Sequence, residues 1–209
     1  MEPVTGVVVA GGVSRRLGED KRRLRLWGDA GPTLLEHTVG VLRPLCAEVV
    51  VVLNDPEAWA DLPARLTPDV YPDAGSLGGI YAGLAAASSP YALVVAADMP
   101  LLSPALLRAL LDRPREYDAL VPRSPAPGST RNKMDVEPLH AVYSRRCLEP
   151  LRATLDQGRR RIVEFLALVR VETVAPEELR RHDPHGHAFL NVNTPQDLEA
   201  VRRLIGHVA

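Results

Sequence analysis

The sequence predicts an α/β fold: a single-domain three-layer sandwich, a mostly parallel, Rossmann-like sheet with helices on both faces. Three observations carry that reading. Short apolar, largely β-branched runs recur at Gly6–Ala10, Glu48–Leu53 and Ala92–Ala96, and such runs mark strands buried on both sides. Segments of helical spacing lie between them, so strand and helix alternate as in βαβ units. The 209 residues are 46% hydrophobic and 24% charged, enough for one ordinary core and too apolar for a disordered chain. With no linker, internal repeat or heptad pattern, residues 1–209 are expected to form one domain.

The first strand, Gly6–Ala10, runs into Gly11-Gly12, and a turn rich in Gly, Ser and Arg extends to Lys21. Leu34, Leu35, Thr38, Val39, Leu42 and Leu45 then recur at helical spacing behind Thr33, a good N-cap. Glu48–Leu53 is a second strand, closed by Asn54-Asp55-Pro56, and a short helix with Trp59 and Leu62 follows. Arg65–Val70 reads as a short strand and Gly78–Ala87 as a helix of small residues. Ala92–Ala96 is a further buried strand, ending at Ala97-Asp98-Met99-Pro100, and Ser103-Pro104 opens a helix with Pro at its first position. Beyond this point the pattern loosens. Ser124 to Lys133 is expected to be a mobile loop, Leu139–Tyr143 a strand, and Arg145–Leu155 and Arg160–Leu168 helices. Val169–Val174 reads as a strand, His182–His187 as a loop, and Pro195–Ile205 as a closing helix capped by Thr194.

Composition narrows the function. A formal net charge of −1 argues against a nucleic-acid coat or a polybasic membrane binder, so neither nucleic acid nor membrane is an expected partner. The amino-terminal segment lacks a cationic start, and no stretch approaches the ~20 apolar residues of a membrane span. Two isolated cysteines, Cys46 and Cys147, suit neither a disulfide framework nor a zinc site and fit a reducing, cytoplasmic setting. Among the 25 Lys and Arg residues only Lys21 and Lys133 are lysines, which makes Lys21 conspicuous.

Open parallel sheets bind ligands beyond the carboxyl ends of their strands. The first strand delivers Ala10 to Lys21 there, a loop that matches neither a P-loop nor a GxGxxG fingerprint. It is still a glycine-rich loop with two arginines, Arg15 and Arg16, and a lysine: backbone N–H groups approach an anion closely and cations neutralise phosphate. The same residues would also make a tight turn with a solvated basic surface. Asp98 reads either as a Mg²⁺ ligand, since Mg²⁺ takes one or two carboxylates plus phosphate oxygens, or as a cap of the following turn. Asp69 has the same two readings, and Asn54 either contacts a base or shapes a turn. Arg159, Arg160 and Arg161 stand at the solvated start of an expected helix, where cations are poorly placed. His182, Asp183, His185 and His187 match no standard zinc spacing and are expected to be a plain loop. Trp27 and Trp59 are expected to pack.

Taken in order, these segments resemble a known family. Residues 7–21, VVVAGGVSRRLGEDK, look like the opening of nucleotidyltransferases. Asp73-Ala74-Gly75-Ser76-Leu77-Gly78-Gly79-Ile80-Tyr81-Ala82-Gly83-Leu84 resembles a segment of the molybdenum cofactor guanylyltransferases, as do Asp98-Met99-Pro100 and Asn191-Val192-Asn193-Thr194-Pro195. Glu137 to Tyr143 and Gly158 to Arg161 fit in position and type, so the resemblance spans essentially the whole chain. Val9 stands where that family usually has Leu, and Ser76 where Pro is usual. The resemblance implies transfer of GMP from GTP to the terminal phosphate of molybdopterin, with Mg²⁺ as cofactor and pyrophosphate as the second product. It implies that Asp98 holds the metal, that Gly11, Gly12 and Ser14 cradle the phosphates, and that Arg15 and Lys21 offset leaving-group charge. Val9, Ala10, Asn54, Asp69 and Gly78 would line the nucleotide, whereas Arg159, Arg160, Arg161 and Asn193 would meet the acceptor. Residues 1–100 would then be mainly the nucleotide half and 101–209 mainly the acceptor half. A CTP-dependent sister enzyme, a transferase for another sugar or alcohol phosphate, and a non-catalytic nucleotide-binding maturation partner are the alternatives. Molybdoenzyme maturation proteins are candidate partners.

Overall fold

In the computed structural model, which describes residues 2–12, 17–71, 73–124 and 135–206, the chain alternates strand and helix through its first half. The strands are β1 (Val4–Val9), β2 (Glu48–Val52), β3 (Arg65–Thr67), β4 (Tyr91–Ala96), β5 (Ala119–Pro122), β6 (His140–Ser144) and β7 (Val171–Val174). The helices are α1 (Leu34–Leu42), α2 (Gly75–Ala86), α3 (Pro104–Leu111), α4 (Leu148–Asp156), α5 (Ile162–Leu166), α6 (Pro176–Leu179) and α7 (Pro195–Gly206). The seven strands form one sheet in the order β3-β2-β1-β4-β6-β5-β7, and only β6 runs antiparallel to its neighbours.

The valine-rich strands are central because both of their faces are covered. Val8 of β1 packs with Leu35, Val39 and Leu42 of α1 and Leu107 of α3, whereas Val7 packs on the opposite face with Leu77, Ile80 and Leu84 of α2. Leu151, Leu155 and Phe165 of α4 and α5 extend that second layer. A third cluster fastens α7, through Leu198 and Val201, against Leu24, Leu26 and Leu34. The expected three-layer, mostly parallel architecture is therefore the one found.

Helix α2 lies unusually close to β1, and its small residues are the reason. A Cβ built on Gly79 would sit 2.5 Å from Val9 Cγ1, and one on Gly83 would collide with Val7 Cγ1. These glycines are spaced i, i+4, so they share the helix face pressed on the strand. Thr33 caps α1 in a full capping box with Glu36. At α7, Thr194 Oγ1 accepts from Asp197 N, and Asp197 Oδ2 accepts from Thr194 N and Asn193 N.

Some expectations change. β5 and the short α6 were not anticipated, and α2 begins at Gly75 rather than Gly78. β1 starts at Val4, β3 ends at Thr67, and residues 145–147 form a 3₁₀ turn ahead of α4 rather than its first turn. α5 is shorter than the Arg160–Leu168 helix expected, and β7 starts at Val171. The expected loop after Ser124 lies outside the described residues. The 182–187 segment is a turn: Asp183 is buried and accepts from His187 N and Ala188 N, so its carboxylate is a local cap. Among the described residues no cluster of His, Cys, Asp and Glu is arranged to hold a metal by itself, and no helix is long and apolar enough to cross a membrane.

Candidate active site

A cleft of about 470 Å³ opens at the carboxyl ends of β1, β2 and β4. The sheet branches here: from β1, the chain reaches β2 on one side and β4 on the other, so the following loops diverge and leave a crevice. Val9, Ala10, Gly11 and Gly12 form one wall, Val52, Asn54 and Asp69 a second, and Ala96, Ala97 and Asp98 a third. Gly75, Ser76 and Gly79, from the amino-terminal turns of α2, complete it with Leu139.

Lys21 is the junction of the site. Its Nζ donates to Asp98 Oδ2 at 2.5 Å and to Asn193 Oδ1 at 3.0 Å, joining residues 77 and 172 positions away. Both members of the Lys21–Asp98 pair are about 15% exposed, which leaves the pair reachable from the cleft yet partly shielded from water. Asp98 is therefore engaged in a long-range ion pair, beyond what a local turn cap would require. The same segment is anchored through its backbone, where Val192 N donates to Asp98 O at 2.9 Å.

On the opposite wall, Asn54 Oδ1 accepts from Asp69 N at 3.1 Å, and Asp69 Oδ1 accepts from Tyr71 N at 2.9 Å. Burial pushes the Asp69 carboxyl above its ordinary range, and the Tyr71 amide only partly offsets this. α2 begins without a side-chain cap, so its first N–H groups are not bonded to an N-cap side chain at the rim of the cleft.

Of the residues singled out from sequence, Val9, Ala10, Gly11, Gly12, Lys21, Asn54, Asp69 and Asp98 line this one cleft, and Asn193 joins it through Lys21. Gly78 stands just behind the wall; a Cβ there would meet Asp69 Oδ1 at 2.9 Å, so its role is close packing. Ser14 and Arg15 lie outside the described residues. Arg159, Arg160 and Arg161 are exposed, in the turn between α4 and α5, and are not among the lining residues. Arg160 spends one guanidinium nitrogen on Leu155 O, capping α4. Because β6 runs antiparallel, α4 returns to the cleft end of the sheet, and Tyr71 Oη donates to Asp156 Oδ1 at 2.8 Å at its last turn. The three arginines thus stand beside the cleft rim, outside it.

Sequence reasoning missed Arg22, Asp73, Ser76 and Leu139 as lining residues. Arg22 was hidden by its neighbours, one arginine among many. Both tryptophans pack as expected: Trp59 is buried in the core, and half-buried Trp27 packs against the α7 cluster and stacks on His37 with ring centroids 3.8 Å apart.

Residues 6–173 match the MobA-like NTP transferase domain. The chain belongs to this family. A protein of Chloroflexus aggregans named as a probable molybdenum cofactor guanylyltransferase is 49% identical over 204 residues, covering 97% of this chain and 95% of that one. A molybdenum cofactor guanylyltransferase of Desulfosudis oleivorans is 35% identical over 206 residues, covering 98% and 97%. The crystal structure of molybdopterin-guanine dinucleotide biosynthesis protein A from Archaeoglobus fulgidus superposes with a TM-score of 0.81 at 28% identity, covering 98% and 100%. The family fold is also that of a cytidylyltransferase structure from Thermus thermophilus, at TM-score 0.68 and 24% identity.

Proposed function

We propose that the protein transfers GMP from GTP to the terminal phosphate of molybdopterin, forming molybdopterin guanine dinucleotide and pyrophosphate. The observation that carries the reading is the convergence of Lys21, Asp98 and Asn193 beside the Gly11-Gly12 wall, in a chain that shares its length with curated guanylyltransferases. The reaction forms a bond between an acceptor phosphate oxygen and the α-phosphorus of GTP and breaks the bond to the bridging oxygen of pyrophosphate. Both reactants are anions, so positioning and charge neutralisation are the main tasks, and no covalent protein nucleophile is needed.

The residues suit that work. The Gly11 and Gly12 backbone can approach phosphate oxygens without side-chain obstruction. The Lys21 ammonium places positive charge where the leaving group gains negative charge. Asp98 is a single accessible carboxylate, the donor set of a Mg²⁺ ion whose remaining ligands are phosphate oxygens and water rather than protein. Such an ion, when bound, neutralises and orients the phosphates. Asn54 and Asp69, beyond the end of β2, and Ala10, at the end of β1, are assigned to base and ribose. Residues 1–100 would hold most of the nucleotide, and the acceptor would approach from the side of Asn193 and the Arg159–Arg161 turn. Both cysteines are free, and burial pushes their thiols up to about 12, which keeps them protonated and unreactive.

Pyrophosphate release, measured with purified molybdopterin, Mg²⁺ and each of the four ribonucleoside triphosphates, tests the assignment. GTP is expected to be turned over at least tenfold faster than CTP, ATP or UTP. Equal or greater turnover with CTP would identify the cytidylyl sister activity. Nucleotide binding without pyrophosphate release would identify a non-catalytic binding module.

A further inference from the structure

Arg22 stands next to Lys21 in the chain, yet its charge does not face the cleft as a free cation. Its guanidinium is held between two carboxylates. Nε donates to Asp20 Oδ1 at 2.9 Å and Nη2 to Asp20 Oδ2 at 2.8 Å, while Nη1 and Nη2 donate to Asp55 Oδ1 and Oδ2 at 2.6 and 2.7 Å. Nη1 also reaches Ala10 O at 3.5 Å, and the guanidinium carbon lies 5.6 Å from the ring centroid of buried Trp59. The Arg22 side chain is only 14% exposed, and its two carboxylate partners hold its proton more tightly than usual. With its forks committed, Arg22 cannot read a base edge in the way an unpaired arginine would.

The placement of its partners gives it another task. Asp20 caps the 3₁₀ turn Lys21–Arg23 by accepting from Arg22 N, and Asp55 follows Asn54 at the end of β2. The pair therefore ties the turn that carries Lys21 to the turn that carries Asn54, across the end of β1 at Ala10. We infer that Arg22 is a positioning residue: with Asp20 and Asp55 it fixes Lys21 over Asp98 and Asn193 and sets the width of the nucleotide cleft. A bidentate fork between two carboxylates fixes direction as well as distance, which an ammonium in the same place does not. The kinetic consequence rests on the proposed role of Lys21; the positioning itself does not.

The chain contains only two lysines, Lys21 and Lys133, so lysine-selective ¹³C labelling gives an NMR spectrum of two ε-methylene signals, assigned with Lys133→Arg. Wild-type Lys21 is expected to show two resolved ε-protons, the mark of a fixed side chain. Arg22→Met and Asp55→Asn should collapse them toward a single averaged line, with Arg22→Lys intermediate. In pyrophosphate release, Arg22→Met should lower kcat/KM at least tenfold in the wild-type background but less than twofold in a Lys21→Ala background. A wild-type signal already averaged, or a Lys21 signal unchanged in both Arg22→Met and Asp55→Asn, overturns the inference. So does an equal kinetic loss with and without Lys21, which would make Arg22 a general strut. If the NMR responses appear while wild-type enzyme turns over no triphosphate, the positioning stands and the proposed reaction fails.

Discussion

Lys21 and Asp98 form the ion pair at the centre of the proposed reaction, and its removal gives a residue-scale test. Asp98→Asn keeps the shape but loses the charge that attracts both Lys21 and a divalent ion. Turnover is expected to fall at least 100-fold, about 2.7 kcal/mol of transition-state stabilisation, with an unchanged circular dichroism spectrum. Retained magnesium-dependent turnover would return Asp98 to a purely structural role. A second residue-scale prediction concerns His140, which is fully buried with neither ring nitrogen hydrogen-bonded and its ring 4.7 Å from Phe189. Burial drives its pKa down to about 3, so the folded protein keeps it neutral while the unfolded chain binds a proton below about 6.5. Between those values the unfolded state carries more protons, so stability falls as pH falls. From pH 7 to pH 5 this one group should cost about 2 kcal/mol, read as a falling urea midpoint, and His140→Leu should flatten that limb. Lys21 was legible in the sequence because lysine is so rare there. Arg22 was not, because the carboxylate that gives it meaning, Asp55, comes from another strand end.

The elements divide in the same way. β1, β2 and β4 were legible because each is a run of apolar residues covered on both faces, and a fully buried strand has no polar alternation to lose. β5 is only Ala119-Leu120-Val121-Pro122, and its partners β6 and β7 follow it by some distance in the chain, so nothing local marks it. α2 was read three residues short because Asp73 and Gly75, both at positive φ, look like a turn while in fact launching the helix. The glycines inside that helix carry the sharpest prediction at this scale. Gly83 is not among the lining residues of the cleft and lies against Val7, so Gly83→Ala should destabilise by about 1–3 kcal/mol through overpacking. Adding Val7→Ala vacates the space, and the double variant should recover part of the loss in melting temperature. Additive losses would show that helix and strand do not meet there as closely as described.

At the scale of the whole molecule, the site joins segments 172 residues apart, and the proposed function gives the two basic regions different substrates. Lys21→Ala should weaken GTP binding by calorimetry. Joint replacement of Arg159, Arg160 and Arg161 by Ala should raise the apparent KM for the pterin about tenfold and leave GTP affinity within twofold. The reverse pattern would exchange the assignments of the two halves. The sequence singled out eight residues that line this cleft but not its connectivity, because only the fold shows that Asn193 comes to rest on Lys21. That contact has a consequence for how the protein comes into being. The core strands β3-β2-β1-β4 and the glycine-rich wall are complete in the chain by Asp98, and a nascent chain can organise them as it leaves the ribosome. The clasp of Asn193 on Lys21, and of Val192 on Asp98, must wait until residues 192 and 193 have emerged. The growing chain therefore has its Gly11-Gly12 wall early, whereas the contacts of Asn193 and Val192 with Lys21 and Asp98, and the packing of α7 on Leu24, Leu26 and Leu34, close only afterwards.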